Sequence, residues 1–414
     1  MLEKMKSAWR IPELRKKIIY TFGMLLLYRL LCCIPVPGVN IAAVSDAVKN
    51  FSVLDFMNMM TGGSFQNMTI MAMGITPYIN ASIILQLLTV AIPTLEKLAK
   101  EGPEGRKKIT EWTRYLTVAL AFIQAVGLVF AMRANSYGGI WYLVIGVSMA
   151  AGTSLAMWIG ERITENGIGN GISLLIMAGI VSNMFNWSRQ AVVGMVNGTV
   201  GIIAVLVVIV AFLVMIVAIT YVDMGERRIP VQYAKRMVGR KMYGGQSTHI
   251  PMKLNSTGVM PLIFDFAILQ FPATVFAFFP TSGINLWWQG FQSGVWYQVV
   301  LAVLIIAFTY FYTGITFNPA DISKNMQQNG GIIPGIRQGR ATTDYLARVS
   351  SRLTLFSALF LAVLATIPTI ITRLFGVSTP FAASSVLIAV SVGIETIRQI
   401  EAQMVMRHHK GFLG

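Results

Sequence analysis

Residues 201–221 read GIIAVLVVIVAFLVMIVAITY, an apolar run without a charged side chain. An apolar helix needs about 20 residues to cross a hydrocarbon core of about 30 Å, so this stretch is long enough to span a membrane. The same signal recurs outward on both sides, near residues 18–35, 68–92, 114–133, 140–160 and 170–187, and again near 255–276, 296–316, 353–372 and 381–400. Ten such spans predict an all-α polytopic membrane protein. Of the 33 Lys and Arg residues, all but Arg29, Lys49, Arg133, Arg189 and Arg373 lie in alternate connections or in the tails. By the positive-inside rule those basic segments are cytoplasmic, and both termini with them.

Composition agrees with the spans. The 414 residues are 55% hydrophobic and only 12% charged, with a mean hydropathy of +0.64, whereas about a quarter of the residues in a soluble domain are charged. A net charge of +16 would point to nucleic acid in a soluble chain. Here most of it sits in short loops beside spans, where it sets topology and meets anionic lipid. Cys32 and Cys33 are neighbours and cannot pair with each other in ordinary geometry, and His249, His408 and His409 are too scattered to make a metal site. No cofactor or metal is expected. The first apolar segment lacks a cleavage site, so the chain is expected to keep it.

Between the spans the sequence is uneven. Residues 1–17 place Ile11, Leu14 and Ile18 at helical spacing among six basic residues and predict an amphipathic helix at the interface. VLDFMNMMTGGSF at 53–65 is apolar but too short to cross, and it turns at Gly62 and Gly63. It reads as re-entrant, which is tolerated only where protein or an aqueous cavity shelters the backbone. Two basic loops, 222–254 and 317–352, are long enough to serve binding as well as topology. On the opposite side Trp287 and Trp288 fit an interfacial belt. The spans divide five and five about an external hinge at 188–200, giving halves 18–187 and 201–400 and a cytoplasmic tail at 401–414. An odd number of spans in each half gives the halves opposite orientations, as inverted repeats require.

Four stretches depart from plain apolar spans: GITPYINASIILQLL at 74–88, GERITENGIGNGISLLIMAGI at 160–180, QYAKRMVGRKMYGGQSTHIPMKLN at 232–255 and NPADISKNMQQNGGIIPGIRQG at 318–339. Together and in this order they resemble the SecY/Sec61-alpha family of protein translocase channels, over essentially the whole chain. The resemblance implies two pseudo-symmetric inverted halves around a central pore, with a lateral gate toward lipid. It also implies a channel in the bacterial cytoplasmic membrane that passes unfolded secretory chains and releases transmembrane segments sideways.

The family's pore ring falls on Ile75, Ile79, Ile176, Ile263 and Ile388. Ile75 and Ile79 share a helix face, with Pro77 in a first turn where its missing donor costs least. A narrow ring of branched aliphatic side chains offers an ion no replacement for its water and resists it by dewetting. By the same resemblance the segment 53–65 is the plug, with Leu54, Phe56, Met57, Met59, Met60, Gly62 and Gly63. The methionines suit an adaptable contact. The lateral gate is implied between spans two and three on one side and seven and eight on the other. Asn80, Gln86, Gln124 and Asn255 are polar on three of those spans. Each could instead cap its own backbone or meet headgroups. In the loops, Lys235, Arg236, Arg240 and Lys241 form one basic cluster and Arg337 with Arg340 another. The family resemblance implies that these engage the ribosome or the SecA motor, that SecE clamps the halves and that SecG sits at the periphery, with preprotein, signal sequence and lipid as the other partners.

Asp265 lies mid-span, about 200° around the helix from Ile263. An intramembrane carboxylate is costly against lipid, so it is expected to face protein, bond a neighbouring span and help hold the gate. Arg29, deep in the first span, receives no role. A secondary transporter is the alternative, yet it would place several polar ligands near the midplane, and only Asp265 and Arg29 serve that view. An enzyme is not expected: the sequence has no paired carboxylates, no nucleophile with a base and no phosphate loop. GIGNG at 167–171 follows a transmembrane helix, not a strand, and fails the context of a nucleotide fingerprint.

Overall fold

A computed structural model describes residues 9, 11–41, 44, 58, 61–131, 139–198, 201–233, 236–238, 241–243, 247–255, 257, 258, 260–262, 264, 265, 268, 269, 272, 283–375 and 383–410. The apolar runs are helices. In chain order they are α1 (Pro12–Leu31), α2 (Thr76–Ala91), α3 (Pro93–Lys100), α4 (Pro103–Ala131), α5 (Gly139–Asn166), α6 (Gly171–Val196) and α7 (Ile202–Met224). After a strand-bearing loop come α8 (Gly283–Ser293), α9 (Val295–Thr316), α10 (Pro319–Gln328), α11 (Arg340–Phe375) and α12 (Ala383–Lys410). Between them, described residues from Met260 to Pro272 are helical and fall on the expected seventh span. Six of these helices are long and apolar enough to cross a membrane, or seven if the pair α2 and α3, bent by 107°, is one broken span. The opening stretch is the most apolar of the six.

Three expected boundaries move. Of the interfacial helix expected over 1–17, residues 1–8 and 10 lie outside the described residues, while residues 12–17 are the first turns of α1, which runs unbroken from Pro12 to Leu31. Proline at its first turn has no N–H to lose there, and nothing in the basic run that follows breaks the helix. The second span starts at Thr76 and not near 68, since residues 61–75 are a chain of turns with Met68 and Gly74 at positive φ. The hinge expected at 188–200 shrinks, because α6 continues to Val196 before turning at Asn197 and Gly198.

Lipid tails are as apolar as leucine, so spans are held together by close packing and hydrogen bonds more than by a hydrophobic drive. The N-terminal half shows this at Gly152 of α5. A side-chain carbon there would lie 1.8 Å from the main-chain oxygen of Ile70, so only glycine lets the turn segment lie directly on α5. Phe65, Met68, Ala72 and Met73 of that segment pack with Ala125, Ile145 and Met149 of α4 and α5. The C-terminal half has its own core, in which Met215 and Ile219 meet Leu301, Ile305, Leu361 and Leu387. The halves join where α6 packs on α12.

The two long basic loops are not independent excursions. Loop 222–254 folds as a hairpin, β1 (Glu226–Tyr233) against β4 (Ser247–Lys253), with β2 (Arg236–Val238) and β3 (Lys241–Tyr243) paired in its outer part. The other loop contributes β5 (Gly331–Ile332), which adds to β1 and gives a three-stranded sheet in the order β4-β1-β5. Alternation in β1 turns Ile229 and Val231 inward. They form a small core with Met252, Met326, Ile333 and Leu346.

Candidate functional site

Four of the five aliphatic side chains expected at the ring fall in or against one apolar cluster. Ile75, Ile176 and Ile388 are 5%, 7% and 3% exposed and belong to one apolar cluster, against which the partly buried Ile79 packs. Three separate helix starts deliver them. Ile75 caps α2, Pro77 occupies its first turn, and the Ile79 N–H donates to the Ile75 carbonyl at 3.0 Å, so the two isoleucines stack. Ile176 and Ile388 each stand in the second turn of their helix, α6 and α12. The start of α6 is fixed by Asn170, whose side chain accepts from the N–H groups of Ile172 and Ser173, and by Thr164, whose hydroxyl accepts from the Gly171 N–H. GIGNG is thus the tight link between α5 and α6. Ile263 lies outside the described residues.

Beside the cluster sits the turn at 61–66, with Asn58. Asn58 organises it: its carbonyl accepts from the Gly63 N–H at 2.9 Å and its side-chain oxygen from the Gln66 N–H at 3.0 Å. The Thr61 hydroxyl accepts from Phe65 N–H at 3.2 Å. Asn58, Thr61, Ser64 and Phe65 are all buried. The strand-like stretch after α1 anchors the outgoing chain, with Val36 N–H donating to the Met68 carbonyl and Ile70 N–H to that of Ile34, both at 2.9 Å. Leu54, Phe56, Met57, Met59 and Met60 lie outside the described residues.

The polar residues expected at a seam separate into two groups. Asn80 and Gln124 are half-buried and Gln86 is exposed, and none of the three makes a side-chain hydrogen bond among the described residues. Asn255 is buried and bonded, but within the C-terminal half. Its amide donates to Asp223 Oδ1 at 2.9 Å, and its oxygen accepts from Ser357 Oγ at 3.1 Å and Thr257 Oγ1 at 3.3 Å. Asp223, in the last turn of α7, also accepts from the Ser391 hydroxyl of α12. Sequence reading missed Asp223 by assigning it to a loop. Its signal was a carboxylate still inside an apolar helix, the same signal that marked Asp265.

Asp265 does face protein, with no exposed surface. The bond expected of it is not made: neither carboxylate oxygen has a partner among the described residues. Leu262, Phe264 and Leu269 of the same stretch are buried too, and Phe264 stacks on Phe308 at 5.9 Å.

At the loop end, Arg337 and Arg340 are exposed. The loop carrying them is rigidly held. Ser323 Oγ donates to the Gly339 carbonyl at 2.9 Å, Thr342 Oγ1 to the Arg337 carbonyl at 2.8 Å and Gln338 Nε2 to the Gly331 carbonyl at 3.2 Å. Arg236 and Lys241 fall on the paired strands β2 and β3, on the other loop. Lys235 and Arg240 lie outside the described residues.

A bundle of apolar spans whose halves meet at an aliphatic cluster, flanked by an irregular buried segment and a basic sheet, defines a polytopic helical membrane protein of the channel type. Comparison with known proteins is specific. The SecY family profile matches residues 69–397. The protein translocase subunit SecY of Aquifex aeolicus (strain VF5) is 42% identical over 427 residues, covering all of both chains. That of Mycobacterium tuberculosis (strain ATCC 25618 / H37Rv) is 42% identical over 448 residues, again covering all of both. The chain belongs to the SecY family. Its fold matches a solved protein conducting channel with a TM-score of 0.70 at 20% identity, covering 94% of this chain and 93% of the other. It also matches Sec61 in the canine ribosome-channel complex, with a TM-score of 0.66 at 19% identity, covering 94% and 93%. A third matching structure, with a TM-score of 0.69 at 20% identity over 94% and 92%, is of a SecY whose plug domain is described as stabilising the closed state and maintaining a membrane seal. The transporter alternative finds no support.

Proposed function

We propose that this chain is the protein-conducting subunit of a bacterial translocase, passing unfolded chains across the cytoplasmic membrane and releasing apolar segments sideways into it. The observation that carries this reading is the meeting of Ile75, Ile79, Ile176 and Ile388 where the two halves join, in a chain of the SecY family. With Ile263 they form the ring. Aliphatic side chains can spread around a passing chain without selecting among its residues, and on closing they leave ions no ligands. The segment 53–65 is the plug. Asn80, Gln86 and Gln124 line the gate on spans two and three. The termini and both basic loops are cytoplasmic. Arg337, Arg340, Arg236 and Lys241, with Lys235 and Arg240, receive SecA or a ribosome, arginine being suited to bidentate contact with carboxylate or phosphate. SecE and SecG complete the assembly.

The test is a crosslink. A stalled secretory chain should react with a cysteine placed at Ile79 or Ile388, and not with one placed at the exposed Val217 on α7. Equal reaction at all three positions would sink the reading.

A further inference from the structure

Arg29 is half-buried in α1, two residues before the helix ends, and its surroundings are specific. Its Nη2 donates to the main-chain oxygen of Ala178, in the third turn of α6. The same guanidinium lies against Gly62. A side-chain carbon on Gly62 would sit 2.7 Å from both Arg29 Nη atoms and 2.9 Å from the Gly179 carbonyl oxygen, and the residue has φ +66°. Only glycine fits between the arginine and α6. One cationic group therefore touches the first span, the fifth span and the turn that Asn58 organises.

We infer that Arg29 is a positioning residue that holds the turn at Gly62 against the N-terminal half and so sets how readily the closed channel opens. The inference rests on reading the 53–65 segment as the plug. An arginine in a span is retained at a cost unless its donors are used, and here a donor is used on a main-chain oxygen beside the turn. That choice of acceptor matters. A carboxylate partner would make a stronger, desolvated pair and resist release. A single charge-assisted bond to a carbonyl biases the turn toward its seat yet allows it to leave. The close fit at Gly62 supplies the specificity, because the turn can return to this place only with its glycine facing the guanidinium. The expected phenotype is a change in selectivity. A channel whose turn is loosely held should open for chains with weakened signal sequences.

The experiment uses the assembled translocase in planar bilayers, with export of a reporter carrying a crippled signal sequence as a second readout in cells. Arg29→Leu should raise resting conductance and reporter export by about tenfold, the shift expected when one charge-assisted hydrogen bond is lost. Arg29→Lys should restore part of the seal. In a chain lacking residues 53–60, which should leak by itself, Arg29→Leu should add nothing. A general defect in the pore wall would add to that leak. Gly62→Ala and Gly63→Ala both place a side chain at positive φ, but only the first strikes Arg29, so Gly62→Ala should leak more. If the deletion leaks while Arg29→Leu and Gly62→Ala remain sealed at normal abundance, the inference is wrong and the plug reading stands. If the deletion itself does not leak, the plug reading fails and takes the inference with it.

Discussion

The side-chain amide of Asn255 donates to the carboxylate of Asp223 at 2.9 Å, joining the start of the seventh span to the end of α7 across the whole hairpin between them. Ser357 of α11 and Ser391 of α12 bond the same pair, so four spans of the C-terminal half share one polar knot.

Breaking that knot should loosen the C-terminal half. Asp223→Ala should cost about 1–2 kcal/mol, the upper range for hydrogen bonds between spans. Asn255→Asp should cost more, because it sets two carboxylates face to face. Thermal unfolding of the purified complex in detergent would show it. A variant Asn255→Asp as stable as the parent would mean that the pair is not formed.

Ile79→Ser combined with Ile388→Ser should make the resting channel conduct ions, since hydroxyls in a narrow constriction lower the barrier to wetting. Planar-bilayer conductance reads this directly. A doubly substituted channel that stays tight would remove these residues from the constriction.

Arg337→Glu should cripple SecA-driven export in reconstituted vesicles while leaving abundance and insertion normal. The side chain is exposed, and its loop is held by main-chain acceptors that the substitution does not touch. Reversal of one exposed charge at a docking surface acts on association. Parental export rates would dismiss the docking role.

Asp265→Leu should leave the protein as stable as before, or more stable by about 1–3 kcal/mol, because it removes a buried group without a hydrogen-bond partner among the described residues. Rejection of a reporter with a crippled signal should be unchanged. A variant that is less stable, or that passes the reporter, would restore the bond first expected of this residue.

Much of the architecture was legible because a lipid-spanning helix has to be apolar along its length, and nine of the ten stretches overlap a described helix of at least 16 residues. The sheet was not legible. β5 is two residues long and pairs with a strand about a hundred residues earlier, so no local periodicity announces it. Asp223 was hidden by its position at a helix end, where a charge looks like topology. Ser357 and Ser391 looked like ordinary small residues of packed spans. Ile75, Ile79, Ile176 and Ile388 could be gathered only by resemblance, since nothing in four isoleucines among so many apolar residues sets them apart. Asn80, Gln86 and Gln124 show the reverse: they are conspicuous as polar residues in spans, and their side chains find no hydrogen-bond partner among the described residues.

The sheet has a mechanical consequence. Because β5 hydrogen-bonds to β1, the segment that leads to α11 and the segment that leaves α7 are stitched together before either enters its span. A push delivered at the tip near Arg337 is therefore not absorbed by a slack tether. It is divided between two helices in the same half, as by a lever with one pivot and two arms.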